Sequence, residues 1–370
     1  MTKSTAGMFV RLAGAGLFLA MIPGFVLAAQ TADDAPHLVN AARETQAVSG
    51  SLATTVQEIA DRSEGAVWIG YGVEKISGER SVCCGNYNDG EVCGTCRLES
   101  ENRGFSTSSG NSPVKLEGGH RLVVLLRAEG HKVMRVRVAS EDCTLDAGNL
   151  RFVWLANVDA GESVKLLSGY VQGTQFQEHG HDGLGNEALT AIALHADAAA
   201  DRAFASFVDG QQPEELRKKA SFWLGAARGA AGLGMLRTMA KSDASVEVRA
   251  QVAFALSVSH EPGAVDEMIR MAREDGSGHV RGQALFWLAQ KAGKKAAGAI
   301  SDAIENDPET DVKKKAVFAL SQMPKDDGVP KLIEVAKTNR NPEVRKQAMF
   351  WLGQSNDARA LDFFEKVLAQ

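Results

Sequence analysis

The chain has 370 residues, of which 44% are hydrophobic and 24% are charged, and its formal net charge is −5. This composition is ordinary for a soluble globular protein, so it excludes collagen-like, mucin-like and wholly disordered chains. A chain of this length has room for two or three domains.

The N-terminus predicts a secretory signal over residues 1–28. Lys3 and Arg11 precede an apolar stretch from Leu12 to Leu27, and the small residues Ala28 and Ala29 suit cleavage by a signal peptidase. A retained membrane anchor is the alternative, but glycine and proline interrupt the stretch and no second long apolar run follows. We therefore expect export to the periplasm or beyond the cell, and no stable membrane span once the signal is removed.

Removal of residues 1–28 takes away two cations and no acid. The mature chain then has 39 basic and 46 acidic residues and a net charge of −7. Such a charge argues against nucleic acid as the main partner.

Residues 29–64 are rich in Ala, Thr and Gln, with a weak helical pattern that ends near Asp61, and they predict a linker plus a helix. From residue 65 to 175 the pattern changes to that of a small β-rich domain, with apolar runs bounded by Gly, Asn, Asp and Ser. The predicted strands are Val67–Val73, Leu122–Ala128, Val133–Ala139 and Phe152–Val158. A short helix over Glu162–Val171 leads towards the C-terminal half.

All five cysteines belong to this β-rich region: Cys83, Cys84, Cys93, Cys96 and Cys143. Disulfides are the first interpretation, because an exported domain with a small core gains stability from covalent closure. A redox pair of Cys93 and Cys96 is a second, although no thioredoxin-like surroundings are evident. A zinc site that adds Cys83 or Cys84 is a third, and the adjacency of those two residues fits a tetrahedral site poorly. The odd number leaves one thiol outside any pairing within the chain.

His179, His181 and Asp182 are ligand-type residues close together in a predicted linker. The sequence offers no further ligands beside them, so no metal site is predicted. No nucleophile elbow, His-Glu-x-x-His motif, P-loop or dinucleotide fingerprint occurs in the chain. We therefore assign no catalytic residue, cofactor or small-molecule substrate.

From residue 183 to the end, the sequence repeats itself every 32 residues. Five equivalent units start at Leu216, Val248, Val280, Val312 and Val344, and we count offsets from these residues. Every unit has Phe at offset 6 and Leu at offset 8; the leucines are Leu224, Leu256, Leu288, Leu320 and Leu352. A sixth, degenerate unit precedes them, as expected of a terminal repeat that caps a stack.

Within each unit, apolar residues at offsets 0, 4, 7 and 8 share one helical face, and those at offsets 17, 20 and 24 share a face of a second helix. A turn rich in Gly, Asp, Lys and Pro separates the two helices. Because a helical pair cannot bury its apolar faces alone, the units must stack into an α-solenoid. The predicted fold is α+β and multidomain, with a small β-rich domain before an all-α solenoid of five to six hairpins over residues 183–370.

The last unit has the pattern Val-Arg-x-x-Ala-x-x-x-Leu-Gly over residues 344–353, and an Asp or Asn precedes each first helix. These units resemble HEAT repeats, specifically the short HEAT-like type found in phycobilisome lyases and in many bacterial proteins. The resemblance implies an interaction scaffold with a protein partner. A bilin lyase would need a cytosolic pigment-protein substrate, which the export signal argues against.

A basic residue at offset 1 of each unit stands six residues after an acid or amide of the preceding turn. Such spacing predicts a ladder of charge-assisted hydrogen bonds between repeats. The ladder comprises Arg217, Arg249, Arg281, Lys313, Arg345, Asp243, Asp275 and Asp307, with Asn339 in the last unit. An anion-binding stripe of arginines is the alternative, and the acids would neutralise it.

The phenylalanines at offset 6 lie on a flank of the first helix, at about 240° from offset 0. They are Phe222, Phe254, Phe286, Phe318 and Phe350. We expect them to pack on the neighbouring first helix, because burial between repeats stabilises a solenoid. An exposed aromatic ladder for binding is the alternative. Trp223, Trp287 and Trp351 at offset 7 face inward, so we expect them in the core.

The outer surface of the second helices is the partner-binding face that the resemblance implies. Its expected members are Asp266, Glu267, Arg270, Arg273, Glu274, Asp302, Glu305, Lys331, Glu334 and Lys337. Mixed charge without aromatic residues identifies no ligand, and a solvated surface is the alternative.

These features together predict an exported scaffold that binds another protein and is not an enzyme. Two alternatives remain open. The first is an envelope thiol-disulfide oxidoreductase or chaperone-like factor that uses Cys93 and Cys96. The second is a lyase-like enzyme, which only the resemblance suggests.

Overall fold

The computed structural model describes residues 35–77, 81–83, 86–88, 92–93, 95–100, 114–115, 119–177 and 183–369. The predicted signal at residues 1–28 and the cluster of His179, His181 and Asp182 lie outside these residues. Residues 35–370 form one compact unit. Within the described ranges, no helix is both long and apolar enough to cross a membrane.

The N-terminal half combines short and long strands with two helices. The strands are β1 (Leu38–Val39), β2 (Ala42–Ala47), β3 (Val67–Glu74), β4 (Ser81–Cys83), β5 (Asn86–Asn88), β6 (Val92–Cys93), β7 (Cys96–Arg97), β8 (Val114–Lys115), β9 (Arg121–Glu129), β10 (Lys132–Ser140), β11 (Leu145–Asp146) and β12 (Arg151–Ala156). The helices are α1 (Leu52–Arg62) and α2 (Ala160–Gln172).

A mixed five-stranded sheet in the order β10-β9-β3-β12-β2 forms the centre of this half. Strands β10, β9 and β3 are antiparallel neighbours, whereas β3, β12 and β2 run parallel. One face contributes Ile69 and Tyr71 to the core shared with the helices, and the other contributes Trp68 and Phe152 to a second core. Because both faces are buried, the central strands are nearly continuous apolar runs rather than alternating ones.

Strand β2 falls within residues 29–64, where the sequence predicts a linker plus a helix. It pairs with β12 from Ala42 opposite Arg151 to Ala47 opposite Ala156, and all six of its side chains are exposed. A polar edge strand has no buried face, so it carries no apolar alternation that a sequence pattern could reveal. The helix predicted for this segment is α1, which follows β2 along the chain.

Six helical hairpins follow, and they confirm the prediction of an α+β chain that ends in a solenoid of five to six hairpins. The first helices of the hairpins are α3 (Leu184–Leu194), α5 (Glu214–Ala227), α7 (Val246–Val258), α9 (Gly278–Ala292), α11 (Thr310–Ser321) and α13 (Pro342–Gln354). The second helices are α4 (Ala198–Phe207), α6 (Gly229–Ser242), α8 (Ala264–Glu274), α10 (Lys294–Asn306), α12 (Lys325–Thr338) and α14 (Ala358–Leu368).

Successive first helices from α5 to α13 pack side by side, and the leucines at offset 8 are all buried between them. Helices α5 and α7 approach each other closely at Gly225. A Cβ atom at Gly225 would overlap the carbonyl of Ala255, so only glycine allows this contact. The stack thereby positions one flank of every first helix against the next.

The β-rich half and the solenoid share one hydrophobic core and are joined by a buried polar chain. Tyr71 on β3 and Ser163 on α2 are 2.9 Å apart between hydroxyl oxygens, and the Ser163 hydroxyl lies 2.9 Å from Nε2 of His195 after α3. The Nδ1 atom of His195 is 2.7 Å from the carbonyl oxygen of Ala191, which can only accept, so Nδ1 carries the proton. Burial lowers the pKa of His195 to about 4, and the ring is therefore neutral near pH 7.

Candidate functional site: an aromatic row on the first helices

Three arginines of the predicted ladder are held against carboxylates of the following turn. The Nε atoms of Arg217, Arg249 and Arg281 lie 2.8, 2.9 and 2.7 Å from a carboxylate oxygen of Asp243, Asp275 and Asp307 respectively. In each pair Nη2 donates to the second oxygen of the same carboxylate. Hydrogen bonding to Asp275 raises the pKa of Arg249, and hydrogen bonding to Asp307 raises that of Arg281. These guanidinium groups tie repeats together and are not available to an external anion.

The pairing pattern changes in the last two units. Lys313 donates to the backbone carbonyl of Glu305, and Arg345 donates to the carbonyls of Asn339 and Arg340. The side-chain amide of Asn339 donates to Glu305 instead. Lys313 was expected in the ladder, but a single ammonium cannot reproduce the two parallel bonds of a guanidinium.

Eight aromatic rings form a continuous row across the five first helices α5 to α13. We call this set the aromatic row; in order along it the rings are Trp223, Phe222, Phe254, Trp287, Phe286, Phe318, Trp351 and Phe350. The centroids of Phe222 and Phe254 are 5.9 Å apart, and the two rings are nearly parallel at 16°. The rings of Phe286 and Phe318 repeat this stack at 5.8 Å and 6°.

Trp287 connects the two stacked pairs, and Trp351 joins the second pair to Phe350. The Phe254 centroid lies 4.7 Å from the Trp287 ring, and the Phe318 centroid lies 4.8 Å from the Trp351 ring. Since these distances are in the range of favourable aromatic pairs, every ring contact between units contributes to holding the stack together. The flank position of the phenylalanines at offset 6 explains why each ring reaches the adjacent first helix.

The row is only half-buried. The rings at its interior are of intermediate exposure, and Phe350 at its C-terminal end is 54% exposed. The three tryptophans were expected in the core, but they are of intermediate exposure. At the same offset, Ala255 and Ala319 are fully buried. An indole is too large for the space that alanine fills at this position, so the tryptophans lie along the flank and join the row.

Basic and amide side chains border the aromatic row. On a helix surface, the neighbours of a residue lie three and four positions before and after it. None of these neighbours of the five phenylalanines is Asp or Glu. The set includes the lysines Lys218, Lys219, Lys314, Lys315 and Lys346 and the glutamines Gln251, Gln283, Gln290, Gln322, Gln347 and Gln354. Lys218 and Lys314 also pair with Glu215 and Asp311 within their own helices.

The charges predicted to form a partner-binding face on the second helices largely pair with one another. Glu267 is 6% exposed and bonds to Arg270 at 2.6 Å, so it does not lie at the surface as expected. Between neighbouring helices, Asp266 pairs with Lys295 at 3.7 Å and Arg273 with Asp302 at 3.3 Å.

The remaining predicted members of this face are Glu274, Glu305, Lys331, Glu334 and Lys337. Glu274 pairs with Arg270, and Glu305 accepts from Asn339. The ammonium of Lys337 lies 5.6 Å from the centroid of the Phe363 ring, within reach of a cation–π contact. Lys331 is half-buried and Glu334 is exposed on α12. This surface therefore offers an external partner fewer uncompensated groups than its composition suggests.

The cysteines are only partly described. Cys96 is disulfide-bonded and 1% exposed. Cys143 was a disulfide candidate, but it carries a buried thiol that donates to the carbonyl of Val82 at 3.5 Å. Burial raises the pKa of Cys143 to about 12. The side chains of Cys83, Cys84 and Cys93 lie outside the described part of the chain.

A family model described as HEAT repeats matches residues 298–370. Among solved structures, the complex of CpcE and CpcF of phycocyanin lyase from Nostoc sp. PCC7120 is 24% identical; the match covers 42% of this chain and 99% of that one, with a TM-score of 0.32. Human deoxyhypusine hydroxylase in complex with glycerol is 14% identical, with 56% and 90% coverage and a TM-score of 0.30. YibA of Escherichia coli is 20% identical, with 53% and 71% coverage and a TM-score of 0.34. A comparison with curated proteins finds no significant match.

Proposed function

Because its helical half is built of HEAT-like repeats, we propose that this protein is a scaffold that binds another protein along the aromatic row. The observation that carries the proposal is the continuous, half-exposed set of eight rings with no carboxylate beside its phenylalanines. Aromatic side chains dominate the energetics of protein interfaces, because they bury a large area and lose little conformational freedom. The proposal involves no catalysis, cofactor, nucleic acid or small-molecule substrate.

The chemistry around the row defines the kind of partner. The phenylalanines supply apolar area, the glutamines can donate to and accept from a peptide backbone, and the lysines favour negative charge. An extended segment with apolar and acidic side chains matches all three. The mature chain is acidic overall at −7, so this basic border stands out as a local exception.

We also propose that the protein acts outside the cytoplasm, as the predicted signal and the disulfide at Cys96 suggest. Mass spectrometry of the protein from its native host would then find the mature N-terminus at Ala29. A chain that retains residues 1–28 would contradict export by cleavage of a signal.

A thiol-disulfide oxidoreductase is the weaker alternative. Thiol exchange requires that an external thiolate reach the disulfide sulfur, and Cys96 is only 1% exposed. A reductase assay with insulin as the substrate separates the two proposals, because a scaffold has no turnover in it.

Comparing two exposed apolar residues provides the test of binding along the row. Phe350 is 54% exposed at the end of the row, and Leu361 is 65% exposed on α14, a helix that contributes no ring to the row. We expect Phe350→Ala to reduce recovery of the partner from the native cell envelope, whereas Leu361→Ala leaves recovery unchanged. Equal recovery by wild type and Phe350→Ala, or loss only with Leu361→Ala, would argue against the row as the binding surface.

A further inference from the structure

Two junctions between neighbouring first helices are formed by equivalent residues 64 positions apart in the sequence. Different side chains line the space at the two junctions. At the α7–α9 junction Phe254 meets Trp287, and at the α11–α13 junction Phe318 meets Trp351 at almost the same distance. At the first junction the Lys291 ammonium donates to the carbonyls of Ser257 and Ser259, at 2.8 and 2.6 Å. This lysine side chain therefore fills the space between the two helices.

The position equivalent to Lys291 at the second junction is Ser355. Its hydroxyl donates to Leu352 in its own helix and does not extend across the junction. A cleft of about 230 Å³ lies there, lined among others by Ser321, Met323, Lys325, Trp351, Gln354 and Ser355. Ser321 and Met323 are equivalent to the two residues whose carbonyls bind Lys291. The cleft is thus the space that a lysine side chain occupies two periods earlier.

One residue of the cleft has the opposite charge at its equivalent position in the sequence. Lys325 lines the cleft, where Glu261 stands at the equivalent position of the α7–α9 junction. The Lys325 ammonium lies 3.4 Å from the carbonyl oxygen of Asn356, a long hydrogen bond. Of the neighbouring charges, Arg359 is paired with Asp357 at 2.7 Å and with Asp326 at 3.2 Å.

The indole of Trp351 is among the groups that line the cleft. Its Nε1 atom is buried and has no hydrogen-bond partner among the described residues. Because an indole nitrogen can only donate, an occupant that satisfies it must present an acceptor. Lysine, which closes the other junction, has none.

We propose that this cleft binds a carboxylate side chain, Asp or Glu, of the protein partner. Lys325 provides a charge-assisted hydrogen bond, Trp351 provides its indole N–H, and the apolar walls accommodate the methylene stem. The volume is below the range of about 300–1,000 Å³ that is typical of pockets for small molecules, which fits a single side chain. The inference rests on the proposed function and extends it, because the cleft includes Trp351 near the C-terminal end of the aromatic row.

The test uses the indole N–H resonances of the full mature chain, whose five tryptophans give five such signals. The probes are three blocked tripeptides, acetyl-Phe-Gly-Glu-amide and its Gln and Lys counterparts. We expect the Glu peptide to shift the Trp351 signal and leave the Trp287 signal in place. We also expect it to bind about tenfold more tightly than the Gln peptide, as loss of one charge-assisted bond implies. A shift of Trp351 that is equal with all three peptides, or larger with the Lys peptide, overturns the proposal.

Ser355→Lys is the decisive variant, because it refills the cleft with the residue that closes the equivalent junction. We expect it to abolish the shift caused by the Glu peptide. Lys325→Glu reverses the charge at an exposed position, so it keeps the proposal testable if Ser355→Lys does not fold; it should transfer the preference to the Lys peptide.

Partner recovery that is lost with Phe350→Ala but kept with Ser355→Lys would refute the proposed role of the cleft and leave the proposed role of the aromatic row standing. Recovery that Phe350→Ala leaves intact would instead refute the aromatic row.

Discussion

Arg281 on α9 and Asp307 in the turn before α11 form a bidentate ion pair in which both side chains are buried. The Nε–Oδ2 and Nη2–Oδ1 distances are 2.7 and 3.0 Å, and the residues are 6% and 8% exposed. Asp307 also accepts from the backbone N–H of Glu309 before α11. One carboxylate thus holds the preceding repeat and orders the start of the next.

We expect Asp307→Ala to lower the free energy of unfolding by about 3 kcal/mol, because the Arg281 guanidinium then keeps only the exposed carboxylate of Glu309, 2.9 Å from its Nη2, as a charged partner among the described residues. Arg345→Ala is the control, since Arg345 is less buried and, among the described residues, donates to backbone carbonyls alone; a loss of about 1 kcal/mol is expected there. Urea denaturation monitored by circular dichroism measures both. Equal losses in the two variants would mean that the buried ion pair adds no stability beyond that of the backbone hydrogen bonds of Arg345.

Leu288 on α9 is fully buried in the solenoid core. We expect Leu288→Ala to cost about 2 to 5 kcal/mol, because it removes buried methyl groups and leaves a cavity. Leu361→Ala, at a position that is 65% exposed, should change stability by less than about 0.5 kcal/mol. A loss below that value at Leu288 would show that the buried face is misassigned.

Phe318 and Phe350 occupy the same offset, but they differ in their neighbours. Phe318 contacts the rings of Phe286 and Trp351 in the units on either side, whereas Phe350 contacts only Trp351 of its own helix among the described rings. We expect Phe318→Ala to cost about 2 to 4 kcal/mol and Phe350→Ala less than about 1 kcal/mol. Thermal unfolding of both variants gives the comparison, and equal shifts of the melting temperature would contradict packing between units as the role of the interior rings.

His195 makes stability depend on pH through its buried neutral ring. Its pKa is about 4 in the folded chain and about 6.5 when unfolded, so its contribution is complete above pH 6.5. As pH falls from 6.5 to 4, the unfolded chain gains a proton that the folded chain does not, and stability decreases.

We expect the wild type to lose about 2 kcal/mol more than His195→Asn between pH 7 and pH 5. The ring is hydrogen-bonded to the Ser163 hydroxyl and to the Ala191 carbonyl, and Tyr71 bonds to Ser163 behind it. The nearby charges are Asp197 and Arg228, and Arg228 donates to the carbonyl of His195. Chemical denaturation at the two pH values measures the difference, in which the contributions of surface carboxylates cancel. Identical pH dependence in the two proteins would show that the pKa of His195 is the same in the folded and the unfolded chain.

The sequence predicts the solenoid because its signals are local and repeated. Apolar residues such as Leu288 recur at a fixed offset, so five copies of the same pattern support each other. Strand β2 escapes prediction because Glu44 and its neighbours are all exposed at a sheet edge. The hydrogen-bonded polar groups from Tyr71 to His195 could not be predicted either, since those residues are far apart in sequence and meet only through tertiary packing.

The candidate site is predictable only in part. The helical angle places the phenylalanines on a flank, but it also places Trp287 towards the core, since an angle takes no account of the size of an indole. Glu267 shows the same limit on the second helices, where residue type suggests a surface group and packing makes it a buried partner of Arg270. The sequence alone does not specify that the side chain of Lys291 extends across its junction. It therefore could not show that Ser355 leaves a cleft at the equivalent junction.

Site-specific photo-crosslinking in the native host tests most directly whether the partner binds along the aromatic row. Benzoylphenylalanine at Gln290 would stand one helical turn from Phe286, and at Glu334 it would stand on the second-helix surface; both positions are exposed. We predict a protein adduct from position 290 that Phe350→Ala weakens, and little or no adduct from position 334. An adduct formed only from position 334 would contradict the account and place the partner on the second helices.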